Sequence, residues 1–298
     1  MAKSIEVDAV LAPELGALSR WLGATRRFIR QRPLGAAGAA IILLMALAAV
    51  SAGFIAPYHP LQNDYGAMLK PPGAGHWFGT DTFGRDVLSR ILYGSRTALL
   101  VGFSSAFLGA TLGTIIGVAS AYFGGRPDLI IQRFLDILLS FPLIILALTV
   151  VSILGSGISN VILAITVPMV PRSALVARAS ALALRETPFV DAARAAGFSH
   201  KRIIFRHLLP NVMAPFLIML TAFQGQAILL EASLSFLGLG VAEPVAAWGL
   251  MLRGAAVEFA EQAPWMGLFP GLAISLAVFA FNLFGDSLRD ALDPKLRV

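Results

Sequence analysis

The sequence predicts an all-α polytopic membrane protein with six transmembrane helices, and three observations carry that reading. Of the 298 residues, 57% are hydrophobic and 13% charged, a composition for burial in lipid and not for one soluble core. The apolar residues gather in runs long enough to span a bilayer, about 20 residues or more, separated by polar segments. The basic residues alternate between those segments. Six Lys/Arg precede the first run, two follow the second, six lie from Arg178 to Arg206 and three close the chain. The intervening segments hold five, Lys70, Arg85, Arg90, Arg96 and Arg253. That bias places both termini on the cytoplasmic side of six crossings. The net charge of +6 is spread between apolar runs, so membrane orientation explains it better than a nucleic-acid partner. Without cysteine, disulfides, thiolate metal sites and Cys nucleophiles are excluded.

Residues 1–33 read as a cytoplasmic tail ending in Arg26, Arg27, Arg30 and Arg32, and residues 34–298 as the transmembrane domain. Leu34 to Ile55 is long enough, about 33 Å at ~1.5 Å per residue, to be the first span. A cleaved signal peptide is the competing reading, opposed by the long, acid-containing stretch before the run. In the Gly- and Pro-rich segment from Pro57 to Arg96, Val87, Leu88, Ile91 and Leu92 share one helical face. Arg85, Asp86, Ser89, Arg90 and Arg96 lie largely opposite, which predicts an amphipathic helix lying along the outer membrane surface.

The second span, about Thr97 to Tyr122, places Gly109, Gly113 and Gly117 four apart, so this face is expected to pack on protein and not lipid. The third, Leu129 to Leu154, carries Asp136 and a kink at Phe141-Pro142; the acid stands either near the inner headgroups or against a partner. The fourth, Val161 to about Ala181, is interrupted by Pro168 and Pro171 and holds Arg172. The fifth, Asn211 to about Gly240, embeds Gln224, Gln226 and Glu231, which join Arg172 as candidate pathway residues. Glu231 reads equally as lying near the outer interface. Trp248 and Trp265 suit a headgroup belt, and Leu268 to Leu288 is the sixth span.

Glu186 to Pro210 is a polar, basic insert between two apolar runs. Thr187 and Pro188 are a hydroxyl cap followed by proline at the first helical position, and Gly197 is a stop. Phe189, Ala192, Ala193 and Ala196 fall at i, i+3, i+4 and i+7, giving a nearly flat apolar face suited to docking on another protein. Ser199 caps a second segment carrying Lys201, Arg202 and Arg206. From these residues alone, a docking element and an ordinary basic connector are equally open.

Asp191-Ala192-Ala193, then Gly197, then Leu209-Pro210 resemble in order and spacing the E-A-A, G, L-P loop of bacterial ABC importer permeases, with Asp191 replacing the commoner Glu. The string with Gly79, Thr80, Asp81, Gly84, Arg85, Asp86, Ser89 and Arg90 resembles an outer-surface signature of the dipeptide, oligopeptide and nickel branch. EASLSFLGLG (231–240) and FNLFGDSLRDALDPK (281–295) are similar to the closing motifs of the same family. The likeness covers about residues 33 to 295 and is nearest the C-type dipeptide permease subunit. It departs at Pro171-Arg172-Ser173-Ala174-Leu175, where the family carries W-x-Y-A-R.

This resemblance implies a type I ABC importer permease fold in the bacterial inner membrane, with residues 186–210 forming a cytoplasmic coupling helix. It implies a non-catalytic chain holding no cofactor, with ATP and Mg bound by two ATPase subunits. A second homologous permease and an extracytoplasmic substrate-binding protein complete the implied assembly. Di- or oligopeptides are the expected substrate, and nickel or another small solute is the alternative. A secondary transporter driven through Asp136, Arg172 and Glu231 is the alternative of another class, for which inverted repeats would speak; an ion channel would need a filter-like loop or charge ring. The sequence holds no G-x-x-x-x-G-K-[ST], H-E-x-x-H or G-x-S-x-G motif, so nucleotide is expected on another chain. The four histidines show no ligand spacing.

Overall fold

The computed structural model describes residues 29–292, as helices and their connections with no strand among them. Most of the expected tail, with Arg26 and Arg27, and the closing Asp293-Pro294-Lys295 lie outside the described residues. The helices are α1 (Pro33–Ile55), α2 (Val87–Phe123), α3 (Gly125–Leu139), α4 (Leu143–Leu154), α5 (Ile158–Arg185), α6 (Pro188–Ala195), α7 (His200–Ile203), α8 (Leu209–Asn211), α9 (Met213–Phe236), α10 (Trp248–Glu258) and α11 (Trp265–Leu292). Helices α1, α2, α5, α9 and α11 are each long and apolar enough to cross a membrane. Helices α3 and α4 meet at a bend of 93°, and the pair makes a sixth crossing if it is one broken span and not a re-entrant loop.

Small residues set the central packing. A Cβ on Gly109 would stand 2.7 Å from the Cβ of Met169, on Gly113 2.5 Å from that of Ser173, and on Gly117 2.2 Å from the carbonyl oxygen of Ala174. The expected protein-facing stripe of α2 is therefore the seam with α5. Gly38 brings α1 equally close to α11, a Cβ there lying 2.6 Å from the Ala280 carbonyl oxygen. On its other side α1 leaves Leu43, Leu47, Val50 and Phe54 exposed, at i, i+4, i+7 and i+11, an apolar stripe for lipid.

Two elements differ from expectation. Residues 87–92 do not form a separate surface helix; they are the first turns of the 37-residue α2, about 55 Å long at ~1.5 Å per residue. Asp86 caps this start by accepting from the Ser89 amide, and Val87 is buried among Trp248, Met251 and Met266. The third span is a right-angle break and not a kink. Pro142 disfavours the helical conformation at Phe141, and Ser140, Phe141 and Pro142 separate the two arms.

Beyond that break one face of the second half of α5 is left exposed. Gly155 and Gly157, with φ of +85° and +132°, turn α4 back along the start of α5. There Ala147 and Val151 cover Val161, Ala164, Ile165 and Met169 together with Phe223 and Ala227 of α9. Helix α4 has only 12 residues, about 18 Å at ~1.5 Å per residue. The stripe that begins with Val161, Ile165 and Pro168 continues through Arg172, Leu175, Val176, Ala179 and Ala183, and from Arg172 onward it is exposed.

Candidate functional site

The Glu186–Pro210 insert folds into a compact unit against the ends of α2 and α5. Pro188 occupies the first turn of α6, where its missing N–H leaves no hydrogen bond unmade. The hydroxyl of Thr187 makes no cap and donates to the Leu184 carbonyl instead. The C-terminus is a Schellman motif: Gly197 has φ +71°, its amide reaches the Arg194 carbonyl at 2.9 Å, and the Phe198 amide reaches that of Ala193 at 3.2 Å. Ser199 then accepts from the Arg202 amide. Residues Ile204–Leu208 form a π-helical turn, because Pro210 has no N–H for the Arg206 carbonyl and its ring crowds that oxygen.

The faces of α6 differ from the sequence reading at one position. Val190 and Ala193 are buried, Ala193 at 5% exposure, against Val118, Ala121 and Tyr122 of α2 and Ala177 and Ala181 of α5. Ala193 thus anchors α6 to its own chain. Phe189, Ala192 and Ala196 remain exposed, as do Asp191 and Pro210, while Leu209 is half-buried. Asp191 pairs with Arg194 at 3.1 Å, and the Arg194 guanidinium lies over the Tyr122 ring.

A polar network beneath this unit escaped the sequence reading. Arg178 holds Asp128 in a two-point ion pair of 2.8 and 2.5 Å, and Ser120 also donates to Asp128. Arg185 donates to the Ala121 carbonyl at 3.0 Å, and the Tyr122 hydroxyl meets Nδ1 of His200 at 2.8 Å. The only signal was an acid in the first turn of a helix, Asp128, where the dipole favours it.

At the opposite end, the Gly79–Arg90 motif is a buried knot and not an exposed polar face. Thr80, Asp81, Arg85, Asp86, Ser89 and Arg90 are all buried, Arg90 at 1% exposure. Asp81 accepts from the Phe83 and Arg85 amides, each at 2.9 Å, and from Nε of Arg85 at 2.6 Å. Asp86 binds the Ser89 amide and hydroxyl and His76 Nδ1. Arg90 donates to the Pro60 carbonyl. Gly79 and Gly84 have φ of +74° and +72°, and a Cβ on Gly84 would stand 1.8 Å from the Asp64 carbonyl oxygen. The two tryptophans expected in a headgroup belt instead clamp this end: Trp248 donates to the Ile91 carbonyl at 3.0 Å and Trp265 to that of Thr80 at 3.1 Å. Beside the knot opens a cavity of about 620 Å³ lined by Asp81, Arg85, Arg90, Glu243 and Arg253.

The four candidate pathway residues do not meet. Glu231 is buried and accepts from Ser235. Gln224 faces a small apolar cavity with Ile42, Leu99, Phe103 and Phe281, and Gln226 is half-buried. Arg172 is exposed on the second half of α5, with no partner among the described residues. Asp136 is exposed, 4.0 Å from Arg133.

Comparison with known proteins agrees with this architecture. Residues 109–298 match the family described as the binding-protein-dependent transport system inner membrane component, and residues 19–72 match the N-terminal TM domain of oligopeptide transport permease C. A transport-system permease protein of Brucella suis is 46% identical over 273 residues, covering 92% of this chain and 91% of that one. The dipeptide transport system permease protein DppC of Alkalihalophilus pseudofirmus is 42% identical over 281 residues, covering 94% and 92%. The glutathione transport system permease protein GsiD of Escherichia coli is 42% identical over 278 residues, covering 93% and 91%. In fold, a chain of the inward-facing MetNI methionine ABC transporter aligns with TM-score 0.54 at 20% identity, covering 68% of this chain and 96% of that one. The chain is therefore a multi-pass membrane protein belonging to the binding-protein-dependent transport system inner membrane component family, and within it to the DppC/OppC type of ABC transporter permease.

Proposed function

We propose that this chain is one of two permease halves of an ATP-driven importer that carries di- and oligopeptides across the bacterial inner membrane. The observation that carries the reading is the α6 unit: a short helix closed by a Schellman turn at Gly197, anchored through Val190 and Ala193, and presenting Phe189, Ala192 and Ala196 outward. A helix fixed on one side and smooth on the other suits a groove in a partner and passes that partner's motion directly to α2 and α5. The partner is an ATPase subunit, one under each permease half, and it binds the ATP and Mg. The α6 end and both termini are cytoplasmic, which the excess of Lys/Arg on that side supports. The Gly79–Arg90 end faces outward, where an extracytoplasmic binding protein delivers substrate. The peptide substrate is taken from the names of the relatives.

The test is reconstitution. Co-expressed with the second permease, the ATPases and the binding protein, the chain should support ATP-dependent peptide uptake into vesicles, while purified alone it should bind no nucleotide. Stoichiometric ATP binding by the isolated chain would contradict the assignment.

A further inference from the structure

Arg172 lies at the middle of the 28-residue α5, about 20 Å from either end at ~1.5 Å per residue. It is exposed, and it makes no hydrogen bond or ion pair with any described residue. A guanidinium at that depth is costly in hydrocarbon and belongs in a water-filled passage or against an anion. Among the described residues no such anion is paired with it: Asp128 is held by Arg178, Glu186 by Arg185 and Asp191 by Arg194. Glu231 is buried and bonded to Ser235. The face around Arg172 is otherwise Leu175, Val176, Ala179 and Ala183, all exposed. It begins where α4 ends its cover of α5, so the charge stands at the head of an open apolar wall.

We propose that Arg172 lines the translocation pathway and engages the C-terminal carboxylate of the passing peptide, an inference that rests on the peptide-importer reading above. Peptides of every sequence share that carboxylate, and a planar guanidinium binds it through two parallel hydrogen bonds. Small apolar neighbours impose no demand on side-chain identity. One hydrated ion pair is also weak enough to release its ligand, as a transit site must.

The experiment uses the complete reconstituted importer. Uptake of a short peptide with a free C-terminus is compared with uptake of its C-terminal amide, each normalised to the amount held by the binding protein. In Arg172→Gln the acid-to-amide uptake ratio should fall about tenfold, the scale of a lost charge-assisted hydrogen bond, and Arg172→Lys should restore part of it. Because the chain has no cysteine, Arg172→Cys provides an independent readout: in the assembled importer its thiol should react with a water-soluble reagent, and substrate should slow that reaction. An unchanged ratio in Arg172→Gln, or an unreactive thiol, would overturn the proposal alone. Loss of the second permease from the Arg172→Gln complex would assign the guanidinium to that chain and also overturn it. Uptake of neither peptide by the parental complex would overturn the peptide reading, and this inference with it.

Discussion

Arg178 of α5 and Asp128 of α3 form a two-point ion pair, Nε to Oδ1 at 2.8 Å and Nη2 to Oδ2 at 2.5 Å. Ser120 of α2 donates to the same carboxylate, so three helices meet at one acid. Asp128→Ala strands a partly buried guanidinium. Charge-assisted hydrogen bonds contribute about 1.5–3 kcal/mol. With the Arg178 side chain 28% exposed, solvent screening brings the expected loss to the low end, about 1–2 kcal/mol. Thermal unfolding of the detergent-solubilised protein measures it. Arg178→Ala should lose a similar amount, and the double variant less than the two added together. Full additivity would show that the pair is not energetically coupled.

The two ends of the bundle should label from opposite sides of the membrane. Gly75, Pro244 and Ser199 are all exposed, and the cysteine-free background makes single introduced thiols unambiguous. In intact cells, thiols at Gly75 and Pro244 should react with an impermeant reagent, and a thiol at Ser199 only after permeabilisation. The reverse pattern would invert the orientation, and labelling of all three from outside would remove the six crossings.

Gly84 and Gly75 lie in the same polar segment yet should respond oppositely to alanine. At Gly84 the backbone has φ +72° and a Cβ would collide with the Asp64 carbonyl; at Gly75 nothing lies within 4 Å. Gly84→Ala combines left-handed strain of about 1 kcal/mol with a clash that the knot relieves only by moving. Limited proteolysis between residues 57 and 86 should accelerate in Gly84→Ala and stay at the parental rate in Gly75→Ala. Equal rates in the two variants would show that the knot does not hold this segment.

The features legible in the sequence were those set by local chemistry. Gly109, Gly113 and Gly117 mark the α2–α5 seam because close backbone approach needs residues without side chains. Gly197 marks the end of α6 because a left-handed turn favours glycine. The missed features depend on contacts from far along the chain. Val190 and Ala193 could not be told from Ala192 and Ala196 as the buried face, since apolar residues occur all around α6 and only the position of α2 selects among them. Charges such as Arg85 and Arg90 read as surface residues by type. They are buried because Asp81 pairs with both and the Pro60 carbonyl accepts from Arg90, and that pairing requires the whole segment to be folded. Pro142 announced a break but not its 93° angle, which packing of α4 on α5 decides.

The proposed coupling role of α6 is tested most directly by adding bulk to its outward face while leaving its anchor intact. Ala193 is the wrong position for this, being packed against α2 and α5; Ala192 is exposed. Ala192→Trp should leave the permease pair assembled and obstruct only what seats on α6. Gly197→Val attacks the same seat differently: at φ +71° with no neighbour within 4 Å of a Cβ, its effect is backbone strain of about 1–2 kcal/mol that redirects the exit chain. The deciding measurement is ATP-driven uptake in reconstituted vesicles beside a pull-down of every subunit. Both variants should retain the second permease, with the ATPase released or its hydrolysis uncoupled, and uptake should fall at least about tenfold, the factor that 1.4 kcal/mol represents. If both transport at the parental rate with the ATPase bound, α6 is an ordinary connector and couples nothing.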